Sequence, residues 1–194
     1  ASRDVSKPPV TKSIFATWWS RLLALDHRGM DDMDKQERNE KIELYGRGFD
    51  MLVDVLKDIP REIWQFKPET GEWSIHEVII HLADSESNAA LRARMLIVEP
   101  GGTVMGYDQE QWVDALKYHE QDLEDALDIV RLARKTTHRL LKKQPDEIFE
   151  HIVMHPEYKE PYTFDNWLNI YSAHIPGHIE QIMNNYKIWK ERQG

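Results

Sequence analysis

The residues of this chain best suited to chemistry are three histidines in two short stretches. His81 lies within WSIHEVIIHLADSE, and His174 and His178 lie within YSAHIPGHIEQI. In a helix, the four-residue spacing of His174 and His178 places their Cβ atoms about 5–6 Å apart on one face. Imidazoles at this spacing can chelate one metal ion, and His81 from a second helix can close the triangle. Three imidazoles suit zinc, nickel, copper or iron and leave positions open for water or substrate, as in catalytic sites.

The helix face that carries His174 and His178 also carries aromatic and amide side chains. Helical periodicity places five residues together on this face, namely Trp167, Tyr171, His174, His178 and Gln181. Such a face predicts a small pocket with an aromatic wall and polar tips, although a core seam with two buried imidazoles has the same pattern. Pro176 lies between the two histidines and removes a helical hydrogen bond, so we expect a kink there.

The helix that carries His81 presents further polar side chains beside it. Ser85, Asn88 and Arg92 follow His81 at i+4, i+7 and i+11, and Asp84 follows it at i+3. A ligating imidazole usually donates its second N–H to a carboxylate, a carbonyl or water. We therefore treat Asp84, Ser85 and Asn88 as candidates for contact with the ligand histidine or the substrate. The alternative is an ordinary polar helix surface.

Other polar residues have a weaker connection to the site. Glu86 follows His81 at i+5, roughly 140° around the helix, and is assigned no role in the pocket. His151 and His155 lie in a stretch that favours extended structure, where their side chains stand about 13 Å apart and cannot share a metal ion. His155 alone can still approach the pocket. His119 falls on an apolar helical stripe and is interpreted as a buried structural residue.

Three motifs occur in a fixed order along the chain. W-S-I-x-E-V-I-x-H-L-A-D-S-E comes first, HPEY followed by F-x-x-W-L-x-x-Y comes second, and H-x-x-x-H-I-x-Q-I comes last. In this order they resemble the DinB/YfiT-like family of metal-dependent enzymes over about residues 40–190. The resemblance implies a four-helix bundle in which His81, His174 and His178 are the metal ligands.

The resemblance also implies an activity. Members of the family act as S-transferases for low-molecular-weight thiols or are described as hydrolases, so either reaction is open for this chain. Two features depart from the family pattern. The first 38 residues fall outside the match, and Lys159 stands where a glycine is expected after HPEY.

Two other kinds of metal site are excluded by their ligand patterns. A carboxylate-bridged di-iron site in a helical bundle needs two Glu-x-x-His motifs, and no glutamate of this chain has a histidine three positions later. The zinc-protease motif His-Glu-x-x-His is also absent. The three-histidine site remains, and we expect it to hold a divalent ion, zinc or nickel.

The composition excludes several classes of protein. A chain of 194 residues with 41% hydrophobic and 30% charged residues is typical of one soluble globular domain, not of a disordered or fibrous protein. No apolar run approaches the ~18 residues that a membrane span needs. The net charge of −9 argues against binding to nucleic acid. A basic group that includes Arg131, Arg134 and Lys135 lies toward the end of a predicted helix, where cations interact favourably with the helix dipole.

The absence of cysteine limits the chemistry further. With no cysteine in the chain, there is neither a thiolate nucleophile nor a cysteine-based zinc site. Any thiol chemistry therefore needs a thiol cosubstrate. No secretory signal is readable, because Arg21 interrupts the one apolar stretch near the start of the chain, and we expect a cytoplasmic protein.

Hydrophobic periodicity predicts an all-α fold, a four-helix bundle with an extra N-terminal amphipathic helix. The amphipathic helix lies within residues 14–25 of an N-terminal segment, residues 1–38. The bundle is formed by residues 39–194. We expect its first helix to end before Pro60 and its second to run from a capping box at Ser74 to about residue 98.

The second half of the bundle is predicted from the same signals. Its third helix begins near Asp108 and continues as a single helix to Leu141. A loop with a short extended piece within residues 152–154 follows. The last helix begins at a Thr163 cap and runs to about Arg192.

The sequence supports three functional hypotheses. The leading one is a mononuclear metal-dependent enzyme that activates water or a small thiol for reaction with a small-molecule substrate. The second is a stress-linked helical bundle that binds a metal or a small ligand without turnover, and the third is a structural or oligomerising module. The long exposed helices and the tryptophans of residues 1–38 predict a homodimer.

Overall fold

The structure is a computed structural model that describes residues 33–156, 158 and 160–194. Within this part of the chain the α-helices are α1 (Lys35–Leu56), α2 (Ile75–Val98), α3 (Gln109–Ala115), α4 (Leu123–Leu141) and α5 (Phe164–Glu191). The four long helices α1, α2, α4 and α5 form a bundle, which confirms the predicted fold class. The predicted amphipathic helix of residues 14–25 lies outside the described residues, and the division of the chain at residue 38 stays a prediction.

Local capping signals begin the two helices that carry the histidines. At the start of α2, the Ser74 side chain accepts the N–H of Glu77, and the Glu77 carboxylate accepts the N–H of Ser74. Thr163 and Asn166 form the same reciprocal pair at the start of α5. The predicted capping box at Ser74 and the predicted cap at Thr163 are confirmed.

The single third helix predicted from Asp108 to Leu141 is wrong. Helix α3 ends after two turns, and Lys117 adopts the left-handed conformation at a φ of 50°. A 3₁₀ turn over Tyr118–Glu120 follows, and α4 begins only after Asp122, whose carboxylate caps the first turn of that helix. An aspartate side chain can bond to the backbone N–H groups that follow it, which favours the start of a helix over its continuation. Asp122 therefore begins a new helix, although the apolar stripe continues through this position.

Each long helix packs mainly against two neighbours, so that α1, α5, α2 and α4 close a ring in that order. The buried apolar residues form two clusters, one in each half of the bundle. Helix α2 supplies residues 75–83 to one cluster and residues 89–96 to the other. Its buried polar residues Ser85, Glu86 and Asn88 lie between them. Polar groups therefore meet at the middle of the bundle.

A small antiparallel sheet connects the third and fourth bundle helices. Strand β1 (Ile152–Val153) pairs with β2 (Tyr162–Thr163), and Met154 forms a bridge to Thr103. The extended piece predicted within residues 152–154 is confirmed. Among the described residues, none of the helices combines the length and the apolar character that crossing a membrane requires.

Candidate metal centre

Helices α2 and α5 bring His81, His174 and His178 together in the interior of the bundle. The Nε2 atom of His174 lies 3.4 Å from Nε2 of His81 and 3.2 Å from Nε2 of His178. One ligand atom from each of the three histidines lies within 4.8 Å of the others, and no side chain is more than 1% exposed. The i+4 pair on α5 therefore meets an imidazole that lies 93 residues earlier in the chain.

The two short contacts of His174 Nε2 cannot both be good hydrogen bonds. A ring nitrogen of a neutral imidazole carries either one proton or one lone pair, so it serves one neighbour at a time. A cation between the three nitrogens removes the conflict, because it takes a lone pair from each. Nitrogens that lie about 2.0–2.1 Å from a zinc ion stand roughly 2.9–3.4 Å apart at tetrahedral or octahedral angles. The measured distances fall in this range, so the residues fit a divalent metal in donor type and in spacing.

Burial keeps the three imidazoles in the uncharged form that a metal ion requires. Burial lowers the pKa of His81 and of His174 well below the ordinary value, and the charge of neighbouring His178 lowers both further. Burial also lowers the pKa of His178 to about 4, against the opposing effect of its hydrogen bond to Gln181. At neutral pH each ring therefore has a lone pair available for a ligand.

Gln181 sets the tautomer of His178. The amide Oε1 of Gln181 lies 2.9 Å from Nδ1 of His178. Because an amide oxygen only accepts hydrogen bonds, Nδ1 carries the proton and Nε2 presents its lone pair to the cluster. Gln181 is one of the polar residues that helical periodicity placed on this face of α5.

Aromatic rings surround the three histidines. The Trp73 ring lies 4.9 Å from the His81 ring, and the Tyr171 ring lies 6.1 Å from the His174 ring. Trp167 packs on Tyr171 at 5.1 Å and continues this wall toward the other half of the bundle. The aromatic wall reduces the access of water to the cluster from the core side.

The polar candidates of α2 have different surroundings. Ser85 lines a cavity that α2 and α5 form together with residues 107–110. Asp84 accepts a hydrogen bond from the hydroxyl of Tyr118, and burial raises the pKa of its carboxyl group. The side-chain amide of Asn88 donates to the backbone carbonyl of Asp84. Of the three, only Ser85 contributes to the cavity wall.

A buried ion pair on the other side of α2 was missed by the sequence reasoning. Glu86 is directed away from the histidines, as its position at i+5 predicted, and it accepts a hydrogen bond from Arg134 at 2.7 Å. Both side chains are at most 1% exposed. Arg134 was interpreted as one of several cations near a helix end, yet it lies on the apolar stripe formed by Leu127, Val130, Thr137 and Leu141. A charged residue within that stripe was the available signal for a buried partner.

The remaining histidines separate into exposed and buried residues. The side chain of His119 is 55% exposed, so its interpretation as a buried structural residue is wrong, and the reason is the break between α3 and α4. His155 is 4% exposed and packs against the rings of Tyr158 and Tyr162. Burial and the charge of Arg92 lower the pKa of His155 to about 4, which keeps that imidazole neutral.

Comparison with known proteins identifies the family. A family model described as the DinB superfamily matches residues 44–182, which is well over half of the chain. The chain belongs to the DinB superfamily. This confirms the resemblance that the three motifs indicated, and the match includes all three histidines of the cluster.

Two curated relatives of this DinB chain illustrate the similarity. The protein named "Putative metal-dependent hydrolase YfiT" of Bacillus subtilis is 26% identical over 144 residues, which are 69% of this chain and 81% of that protein. A putative metal-dependent hydrolase of Oceanobacillus iheyensis is 27% identical over 132 residues, which are 68% of this chain and 76% of the relative. The solved structure of YfiT matches with a TM-score of 0.75 at 22% identity, covering 83% of this chain and 92% of YfiT. YfiT is described as a four-helix bundle of unusual topology, and this chain shares its four-helix fold.

Proposed function

We propose that this chain is a mononuclear metal-dependent enzyme whose metal ligands are His81, His174 and His178. The observation that carries the proposal is the convergence of three neutral, buried imidazoles on one point, with their Nε2 atoms 3.2–3.4 Å apart around His174. Imidazole nitrogens favour zinc or nickel over magnesium and calcium, which bind oxygen. The proposed cofactor is therefore a divalent zinc or nickel ion.

Hydrolysis of a small-molecule substrate is the reaction that the relatives support. The names of the Bacillus subtilis and Oceanobacillus iheyensis relatives both describe a metal-dependent hydrolase. A divalent ion held by three protein ligands lowers the pKa of bound water to about 7 and supplies a nucleophile at neutral pH. A cavity that Ser85 and Tyr171 line lies one helical turn from His81 and His174, and we assign the substrate to it.

The residues of the chain hold the site ready for the metal ion. Low pKa values keep the three rings uncharged, and Gln181 keeps the Nε2 lone pair of His178 directed at the cluster. The aromatic wall limits water on the core side, which strengthens electrostatic interactions inside the site.

Transfer of a thiol is the second reaction that the same site can support. A thiol substrate is required because the chain has no cysteine of its own. In that case the metal ligands stay the same, and a low-molecular-weight thiol takes the place of water. Homodimer formation and a cytoplasmic location also remain proposals, and sedimentation of the full chain beside residues 39–194 tests the first of them.

Metal analysis of protein purified without a histidine tag tests the proposal. We expect about one zinc or nickel ion per chain, and loss of that ion when any one of the three histidines is replaced by alanine. His119→Ala is the matched control, because its side chain is exposed and lies outside the cluster. Full metal content in His81→Ala, His174→Ala and His178→Ala would refute the site.

A panel of substrates then identifies the reaction. Esters and amides report hydrolysis, and pairs of a small thiol with an electrophile report transfer, each assayed with and without added zinc. Metal-dependent turnover that disappears in His174→Ala supports an enzyme. Stoichiometric metal with no turnover across the panel favours the alternative, a stress-linked bundle that binds a metal or ligand without catalysis.

A further inference from the structure

The cavity beside the histidines has a volume of about 370 Å³ and contains a buried arginine in its wall. Ser85 and Arg92 of α2, Tyr171 of α5 and residues 107–110 form the wall. Ser85 lies one helical turn after His81, and Tyr171 lies one turn before His174. The cavity wall therefore lies within one helical turn of two of the proposed ligands.

Arg92 is a buried cation with no anionic partner among the described residues. Its side chain donates to the hydroxyl of Tyr171 at 2.9 Å and to the backbone carbonyl of Met105, and both acceptors are uncharged. Its Nε is buried and has no hydrogen-bond partner there. The residue is only 8% exposed, and no ion pair of the described residues includes it. Burying a charge without an opposite charge is strongly unfavourable in a protein interior.

Arg134 shows how this fold satisfies a buried arginine that has a structural role. It lies on the opposite side of α2, is 1% exposed, and pairs with the Glu86 carboxylate at 2.7 Å. Arg92 is also buried, at 8% exposed, but it lines a cavity and forms no ion pair among the described residues. Among the described residues, Arg92 therefore has no counter-ion, and an anionic ligand in the cavity can supply one.

We propose that this cavity binds a small molecule through its carboxylate group, and that Arg92 is the residue that recognises the carboxylate. A guanidinium presents its donors in a planar fork that matches the two oxygens of a carboxylate. Arg92 uses its two terminal nitrogens on neutral oxygens, so donors of the fork remain for a charged ligand. Tyr107 and Tyr171 add hydroxyl groups near this end of the cavity.

The other charges of the cavity favour a singly charged group over a phosphate. Asp108 and Glu110 also line the wall, and neither lies within ion-pair distance of Arg92. Asp108 is engaged in capping α3, and Glu110 accepts a hydrogen bond from Trp73. The two carboxyl groups repel any anionic ligand that Arg92 attracts, and they repel a dianionic phosphate more strongly than a monoanion.

The position of Arg92 gives the substrate an approximate length. Arg92 follows His81 by eleven positions on α2. Because a helical side chain points back toward the N-terminus, roughly 10 Å remain between the guanidinium and the histidines. The molecule would carry its carboxylate at one end and its reacting bond at the other. Its identification as the substrate rests on the proposed function, whereas the binding of a carboxylate at Arg92 does not.

Titration of isotope-labelled protein with 3-phenylpropionate tests the proposal. The uncharged 3-phenylpropionamide has nearly the same shape, and phenylphosphonate provides a dianion for comparison. The measured quantities are the dissociation constant and the NMR shift of the Arg92 Nε–H group, in metal-free and in zinc-loaded protein. We expect the carboxylate to bind metal-free protein and to shift Arg92, and the amide to bind roughly 10- to 100-fold more weakly.

Substitutions separate Arg92 from its surroundings. Arg92→Met removes the positive charge, and Arg92→Lys keeps the charge without the planar fork of guanidinium donors. Both variants should weaken carboxylate binding roughly 10-fold or more, and neither should lose bound zinc. Arg94→Met is the matched control, because Arg94 lies on the same helix and donates to Ala90 and Thr137 instead of lining the cavity. Circular dichroism of each variant verifies that it is folded.

The outcomes distinguish this proposal from the proposed function. Equal binding of the acid and the amide to wild-type protein overturns the proposal, whether or not the variants fold. Tighter binding of phenylphosphonate overturns the choice of a carboxylate, and carboxylate binding that needs zinc and survives Arg92→Met places the ligand on the metal instead. Carboxylate binding at Arg92 in a protein that takes up neither zinc nor nickel when the ions are added supports this proposal and refutes the proposed metal site.

Discussion

Helix α2 contributes side chains to two buried polar clusters. Their different compositions indicate that one cluster is structural and the other is functional. On one face, Glu86 meets Arg134, an acid beside a base. On the other face, His81 meets His174 and His178, which are three bases. His81 and His178 both contact the same atom, Nε2 of His174. Both groups lie in the interior of the bundle and both are almost fully buried. The first satisfies its charges within the chain, whereas the second is the site at which we propose that a cation binds.

The ion pair joins all four long helices. Arg134 of α4 donates to Glu86 of α2, to the backbone carbonyl of Tyr45 on α1 and to the backbone carbonyl of Tyr171 on α5. Its guanidinium also lies 4.3 Å from the centre of the Tyr45 ring. The contact with Tyr171 is made three residues before His174, so the ion pair supports the helix that carries two of the proposed ligands. The difference between the two groups leads to four predictions.

The largest expected effect is the loss of the ion pair. Arg134→Met leaves the Glu86 carboxylate buried without its partner, which should reduce the free energy of unfolding by about 3–5 kcal/mol in urea denaturation of metal-free protein. The control is Lys57→Met, which breaks an exposed pair with Asp54 and should cost less than about 1 kcal/mol. The double variant Glu86→Leu, Arg134→Met should recover much of the loss. Equal effects of the buried and exposed substitutions would contradict a structural role for the pair.

Zinc should stabilise the folded protein through the histidines alone. At a free zinc concentration of 100 times the dissociation constant, binding to the folded state adds about 2.7 kcal/mol to the free energy of unfolding. We expect this gain in wild-type protein and in Glu86→Gln, and no gain in His174→Ala. Thermal denaturation with zinc and with chelator measures it. A zinc-dependent gain in His174→Ala would show that the ion binds elsewhere.

Acid should destabilise the metal-free protein through the same histidines. A histidine with a lowered pKa in the folded state takes up its proton mainly when the chain unfolds, so stability falls as the pH falls below about 6.5. For His178, with a folded pKa of about 4, the loss between pH 6.5 and pH 5 is about 2 kcal/mol.

His178→Gln isolates this contribution. His155 also has a pKa lowered to about 4 and contributes in the same direction, whereas the raised pKa of Asp84 acts in the opposite one. The difference in unfolding free energy between wild type and His178→Gln removes both. We expect that difference to shrink as the pH is lowered from 6.5 to 5, and a difference that is independent of pH would contradict the neutral buried imidazole.

The smallest effect is expected at the glycine beside the ion pair. A Cβ atom at Gly48 would overlap a terminal nitrogen of Arg134, so Gly48→Ala should displace the guanidinium and cost about 1 kcal/mol. Gly46→Ala is the matched control on the same helix, because its Cβ would meet the ring of His138, a side chain that is 21% exposed and can move away. Urea denaturation of the two variants gives the comparison. A gain in stability at Gly48, as helix propensity alone predicts, would show that the close approach is not required.

The fold and the candidate site could be predicted from sequence to different extents. The capping box at Ser74 and the cap at Thr163 depend on residues three positions apart, and the structure has both. The single helix expected from Asp108 to Leu141 was wrong, because the apolar stripe gave no weight to the capping carboxylate of Asp122. The error also moved His119 from a buried face to an exposed turn.

Sequence by itself determined the family, the four-helix bundle and the helical spacing of His174 and His178, because these depend on patterns within a few residues or on motifs in order. Only the tertiary structure decided that His81 reaches His174 across 93 residues, that Arg134 is buried against Glu86, and that Arg92 lines a cavity without forming an ion pair among the described residues. Such contacts depend on how the helices pack, which local periodicity does not specify. Metal binding by the three histidines stays a prediction, and it follows from the chemistry of three neutral imidazoles held at ligand distances.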